Sequence, residues 1–188
     1  MTGRIVLLNG APRAGKSSIA RALQARGDWM AFGVDAMMAM TPAQLQPGIG
    51  LRPGGERPDL EDVVQRSYAA LFDALAAFAR SGLDIVSDVG LHDSYSRPLG
   101  IVDMAHEKLA GLSVLWVGVH CPIDIIMARR NADPQGGHYE GGATTPPPVR
   151  RWQDTVHAGK RYDVEVDTSA LTPKQCAERI EDVFVTRK

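Results

Sequence analysis

Residues Gly10-Ala11-Pro12-Arg13-Ala14-Gly15-Lys16-Ser17 carry the spacing G-x-x-x-x-G-K-[ST], the pattern of a phosphate-binding P-loop. Gly10 and Gly15 permit backbone angles that a Cβ would block, so the loop can turn its N–H groups inward as an anion nest. A helix starting near Lys16 adds its positive N-terminal end. Lys16 is placed to reach β- and γ-phosphates and Ser17 to offer its hydroxyl to Mg²⁺; the phosphates would lie on residues 10–18, Ser18 included. The chemistry of such a loop is transfer of a terminal phosphoryl group.

Two carboxylates could complete that chemistry. Asp88 follows the apolar run Leu83-Asp84-Ile85-Val86-Ser87, the position of a Walker B acid that holds Mg²⁺ directly or through water. Asp35 ends a second apolar run, Trp29 to Val34, which reads as a second strand with Asp35 at its C-terminal end, and Asp35 itself reads either as the base for an acceptor hydroxyl or as a turn or helix cap. Arg129, Arg130, Arg150 and Arg151 flank a Gly/Pro-rich stretch, 131–149, that reads as a lid over the phosphates. The lid spans about residues 128–152, within one domain covering 1–188. His92 follows Asp88 closely enough to face the same pocket, and the other histidines read as surface or hydrogen-bonded residues. There is no Asn-Lys-x-Asp guanine reader, which favours ATP over GTP.

The elements that must position these groups alternate strand and helix, which predicts a parallel sheet of about five strands covered on both faces. Strand 4–9 leads into the P-loop and helix 16–26. A run of apolar positions at three- and four-residue steps predicts a core-facing helix from Asp59, as N-cap, to Ser81, with Gly82 as its stop. Tyr68 belongs to that stripe and reads as core. Further expectations are a strand at 83–89, a helix at 97–109, a strand at 112–119 and a helix at 122–130. A helix at 149–158 and a strand at 163–167 follow, then a final helix opened by the capping box Thr172-Pro173-Lys174-Gln175. Residues 46–58 are rich in Pro and Gly and read as a loop.

With 188 residues, net charge −1 and two cysteines, the chain is long enough for a proper core. It lacks the charge for broad nucleic-acid or anionic-membrane binding. Cys121 and Cys176 form neither a metal-ligand spacing nor a disulfide framework, as expected for a reduced, cytoplasmic protein. The first strand begins at once, which leaves no room for a removable signal peptide. The oligomeric state is not written in these features.

Several blocks coincide with one family. Ile5-Val6-Leu7-Leu8-Asn9-Gly10 with Gly15-Lys16-Ser17-Ser18, Phe32-Gly33-Val34-Asp35, Asp88-Val89, Trp116 to Pro122 and Tyr162-Asp163-Val164-Glu165-Val166-Asp167-Thr168 together resemble chloramphenicol phosphotransferase and its relatives. The resemblance implies a P-loop kinase fold and a cytoplasmic phosphotransferase. It would use ATP and Mg²⁺ on a hydroxyl of a small molecule, chloramphenicol or a related antibiotic, with Asp35 as general base. Arg129 matches a family arginine by its distance from Cys121. The family's later Arg-Gly-Asp-Arg stretch has no counterpart at 129–137, where Arg150 or Arg151 would have to substitute, and the 46–58 loop also departs from the pattern. Two other readings stay open: a metabolite or nucleotide kinase of the same fold, and a non-catalytic ATP-binding regulatory protein.

Overall fold

The computed structural model describes residues 2–46, 57–133 and 143–186. Five parallel strands form one sheet in the order β2-β3-β1-β4-β5. They are β1 (Arg4–Asn9), β2 (Met30–Ala31), β3 (Ile85–Val89), β4 (Ser113–His120) and β5 (Val164–Asp167). The helices are α1 (Lys16–Gln24), α2 (Val34–Met40), α3 (Glu61–Arg80), α4 (Ile101–Lys108), α5 (Ile123–Ala132), α6 (Pro147–Thr155) and α7 (Pro173–Thr186). The central strand explains both layers. Successive residues of a strand face opposite sides. Val6 and Leu8 enter the core shared with α1, α5, α6 and α7. Ile5 and Leu7 enter the core shared with α3 and α4. A strand buried on both faces reads as the continuous apolar run seen at 5–8.

Several boundaries differ from the sequence reading. The second strand is only two residues long, because the chain leaves the sheet at Phe32 and Gly33. Asp35 therefore sits in the first turn of α2 rather than at a strand end. There its negative charge suits the positive helix terminus. Asp59 does not cap α3: Pro58–Leu60 form a single 3-10 turn, and Arg57 binds the Asp59 carboxylate at 2.7 and 2.9 Å. The expected helix at 97–109 starts four residues late, at Ile101, after Gly100 in the left-handed region. Upstream, the buried Glu61 carboxylate accepts from the Ser96 N–H and hydroxyl, and Gln65 donates to the Leu99 carbonyl, which hold 96–99 out of the helix. The helix expected from Val149 instead begins at Pro147, with proline in its first turn. The Thr172–Gln175 capping box is present with both reciprocal bonds, and Gly82 ends α3 with φ +85°. Both cysteines are free and buried. Residues 47–56 and 134–142, most of the expected 46–58 loop and the middle of the expected lid, lie outside the described residues. Among the described residues no helix is long and apolar enough to cross a membrane.

Asn9, at the end of β1, ties three segments together. Its Nδ2 donates to the Val156 carbonyl (2.9 Å) and to Tyr162 Oη (2.8 Å), and its Oδ1 accepts from the Leu91 N–H (2.6 Å). Tyr162 Oη, already an acceptor, is left to donate to His157 Nδ1 at 2.8 Å. That bond needs a neutral imidazole. Burial, then the neighbouring His120 ring stacked at 4.0 Å, push the His157 pKa down to about 4.

Two outcomes follow from this network. Asn9→Ala leaves three polar partners unsatisfied and is expected to lower stability by about 3 kcal/mol, read as a shift of the urea midpoint. The unfolded His157 titrates near its ordinary value of 6.5, above the folded one. The unfolded chain therefore holds the extra proton between these values, and the stabilisation present above pH 6.5 is lost as pH falls toward 4. In melting curves, His157→Gln, which keeps an acceptor for Tyr162, should flatten the pH dependence in that window relative to the parent.

Candidate active site

The loop after β1 has a strained backbone held by specific bonds. Gly15 has φ +100°, and Arg13, at φ +69°, is the single non-glycine residue with positive φ among the described residues. A left-handed conformation costs a side-chain-bearing residue about 1–2 kcal/mol. Two partners hold it. Arg129 Nη1 donates to the Arg13 carbonyl (3.1 Å), and Thr168 Oγ1 donates to the Ala14 carbonyl (2.7 Å). Arg129 also donates to Thr168 itself, at Oγ1 (3.0 Å) and the carbonyl (2.8 Å). The Arg13 guanidinium pairs with the Asp133 carboxylate at 2.9 Å, at the end of α5. Loop, α5 and the turn after β5 thus form one braced unit.

Register brings the first carboxylate to this loop. β1 and β3 pair with Leu8 opposite Asp88, so Asp88 lies one strand over from the P-loop at the carboxyl end of the sheet. The second carboxylate arrives through a glycine. A Cβ on Gly33 would lie 1.9 Å from Asp88 Oδ1 and 2.5 Å from the Asp88 carbonyl, so only glycine can bring the start of α2 against the end of β3. Asp35 follows two residues later.

These elements enclose a cleft of about 750 Å³. Gly10, Pro12, Arg13, Gly15, Lys16, Ser17 and Ser18 line it from the loop, with Asp35, Asp88, Arg129 and Thr168 around them. Ala11 and Ala14, also expected at the phosphates, turn their methyl groups into the core, which leaves their backbone as the part available to a ligand. Lys16 Nζ donates to the carbonyls of Gly10 (2.8 Å) and Ala11 (2.9 Å) at the mouth of the loop. Burial lowers the Lys16 pKa, against the pull of Asp88 and Asp35. Burial also raises that of Asp88; the Asp35 charge adds to the rise and Lys16 opposes it. One ammonium and two carboxylates lining the same partly desolvated cleft are an arrangement that can neutralise phosphate and hold a proton acceptor.

Ser17 and Asp88 present two hard oxygen donors to the cleft. That set fits Mg²⁺, which keeps several waters and takes its other ligands from phosphate. Among the described residues no cluster of three His, Cys, Asp or Glu could hold a metal unaided.

Two wall residues, Tyr68 and Trp152, were not singled out by spacing, and a third, Arg130, was named only among the arginines flanking the lid. Tyr68 sits in the α3 apolar stripe, yet it lines the cleft as well as packing on Phe72. Its one signal is a hydroxyl in an otherwise apolar row. Trp152, on α6, lies against Gly90, where a Cβ would stand 2.9 Å from the indole. Nothing in the sequence around it distinguishes it from a core residue. Arg130 is one of four arginines flanking the expected lid, and it is buried in the cleft wall, whereas Arg150 and Arg151 are exposed and outside the lining. His92 does not face the cleft. It is fully buried, stacked on Tyr95 (4.3 Å) and edge-on to Trp152 (4.9 Å). Of the methionines after Asp35, Met38 lines the cleft, while Met40 is exposed.

Known proteins share this architecture. A Mycobacterium tuberculosis protein named "Putative O-phosphotransferase" is 29% identical over 199 residues, covering 97% of this chain and 82% of the relative, and the same match recurs in two strains. Among solved structures, a sugar kinase from Janibacter superposes with a TM-score of 0.68 at 17% identity, covering 97% of this chain and 95% of that one. A shikimate kinase from Acinetobacter baumannii, in complex with shikimate, gives 0.65 at 15% identity, covering 100% and 96%. Residues 3–185 match the model of the family described as Chloramphenicol phosphotransferase-like protein; the chain belongs to that family and has its P-loop kinase fold.

Proposed function

We propose that this chain transfers the γ-phosphoryl group of ATP to a hydroxyl of a small molecule. The observation that carries the reading is the meeting of Lys16, Asp35 and Asp88 in one cleft at the mouth of the P-loop. The loop amides and Lys16 hold the phosphates, and Arg129 stands beside them through its bond to the Arg13 carbonyl. Asp35 takes the proton of the acceptor hydroxyl while that oxygen forms a bond to the γ-phosphorus. The bond from γ-phosphorus to the bridging oxygen breaks, and ADP leaves. Ser17 and Asp88 would hold Mg²⁺, which neutralises charge on the phosphates when bound.

The acceptor is the part on which the comparisons change the balance. The similar proteins carry names of an O-phosphotransferase, a sugar kinase and a shikimate kinase, which supports a metabolite or nucleotide hydroxyl above chloramphenicol itself. The cleft agrees in character: Tyr68 and Trp152 offer flat faces, and Asp35, Asp88 and Arg130 offer charge, a mixture suited to a polar, ring-bearing molecule. A regulatory ATP binder needs the loop but has no use for a second carboxylate at its mouth.

Purified protein should release ADP in response to one member of a panel of sugars, cyclitols, nucleosides and phenicols; no acceptor-stimulated release from any of them favours the regulatory binder. With the responsive acceptor, Lys16→Ala is expected to lower kcat/KM by about 100-fold or more. Asp35→Asn should lower kcat by about 100- to 10,000-fold with ATP binding retained. Full turnover by folded Asp35→Asn would remove the base assignment.

A further inference from the structure

Tyr68 carries a hydroxyl in a setting built for an apolar ring. It lies on α3, is 3% exposed, and stacks on Phe72 with ring centroids 5.8 Å apart. That burial suits the ring, but a buried phenol hydroxyl ordinarily finds a hydrogen-bond partner. Among the described residues none bonds the Tyr68 hydroxyl. The nearby Tyr95, whose own hydroxyl is buried and without a partner, does not reach it.

Two spaces meet at this side chain. One is the cleft of about 750 Å³ lined by Lys16, Asp35 and Asp88. The other is a slot of about 10 Å³ between α2 and α3, walled by Val34, Met37, Met38, Val64 and Leu71 and apolar over its whole accessible face. The slot has room for one water-sized group at most, and a water there would lack the two to four polar partners it needs. A partner for the hydroxyl must therefore come from the cleft.

The side of the cleft is fixed as well. Val34, Met38 and Tyr68 are the three residues that line both spaces, and Val34 adjoins Asp35 in the first turn of α2. Tyr68 thus stands on the Asp35 side, away from the amides of the P-loop. Burial, and after it the charge of Asp88, raise the Tyr68 pKa, so the phenol stays protonated at neutral pH and has a hydrogen to donate.

We propose that the Tyr68 hydroxyl donates a hydrogen bond to a second oxygen of the acceptor, apart from the hydroxyl presented to Asp35. Tyr68 thereby selects polyoxygenated acceptors over simple alcohols and turns the reacting hydroxyl toward the base. The inference rests on the phosphotransferase reading and adds to it the residue that discriminates between acceptors.

Tyr68→Phe removes one oxygen and keeps the ring. ADP release from ATP and Mg²⁺ is measured with glucose, myo-inositol, shikimate, adenosine and chloramphenicol. With whichever of these the parent phosphorylates, Tyr68→Phe is expected to lower kcat/KM for the acceptor about 5- to 100-fold and to leave KM for ATP within about 2-fold. Analogues of that acceptor, each lacking one of its other oxygens, supply the control that a structural role would not pass. One analogue should be used equally by parent and variant, because the bond is then missing from both. The melting temperature of Tyr68→Phe should equal or exceed that of the parent, since an unpartnered buried hydroxyl adds nothing to the fold. A variant that fails to fold, or melts below the parent, shows that the hydroxyl already serves the fold and overturns the assignment. Unchanged acceptor kinetics overturn it too, as does a loss of equal size on every analogue. A parent that releases no ADP in response to any of these acceptors removes the phosphotransferase reading, and this inference with it.

Discussion

The close approach of Gly33 to Asp88 is the contact on which the site depends. Two carboxylates must face one ammonium, yet they come from segments separated by α3 and more than fifty residues of chain. Parallel pairing of β1 and β3 fixes Asp88 beside the P-loop, since a slip of one residue would turn it to the opposite face. Placing Asp35 then requires α2 to begin directly over the end of β3. A side chain at 33 would have to occupy the space of the Asp88 carboxylate itself. Opening that contact to admit a methyl group would carry the first turn of α2, and Asp35 with it, away from the loop.

The P-loop faces a related demand. It must keep its amides directed inward although Arg13 adopts a conformation unfavourable to it. The strain of about 1–2 kcal/mol is comparable to one or two ordinary hydrogen bonds. Arg129 and Thr168 supply such bonds at the two carbonyls that follow the bend. The brace comes from α5 and from the turn after β5, so sheet order matters as much as loop sequence: β4 lies next to β1 and β5 next to β4, which brings both partners to the same side. Asn9 anchors the other end of the same region, joining β1 to the segments after β3 and after α6.

The parts of this molecule that were legible in the sequence are those whose physics is local. The P-loop spacing, the apolar runs of β1, β3 and β4, the α3 stripe and the Thr172 capping box each express one rule within a few residues, and each appears where expected. Asp88 was readable because a buried strand ending in a carboxylate has a known neighbour in this topology. Asp35 was readable as a residue but not as a position: its element depended on Gly33 meeting Asp88, a contact between distant segments. Asp59 has the right chemistry for a cap, but Arg57 engages its carboxylate while Pro58 starts a 3-10 turn. Tyr68 and Trp152 lie on helices whose periodicity reports burial, and burial against a cleft wall has the same pattern as burial in a core; Arg130 was readable only as one of four arginines beside the lid, since spacing does not say which of them turns inward.

That difference separates the two ends of the cleft. The P-loop end consists largely of backbone: loop amides, a helix terminus and carbonyls held by Arg129 and Thr168. Backbone groups are common to every residue type, so this end can persist while side chains change, and a motif can betray it. The other end consists of side chains from α2, α3, α5 and α6, namely Met38, Tyr68, Arg130 and Trp152, assembled from four separate helices. No short spacing can encode such a wall, and any one helix can alter it without disturbing the P-loop. A family that shares this P-loop fold can thus keep one reaction and exchange acceptors. Membership in it specifies the reacting bond more closely than the molecule that receives the phosphoryl group.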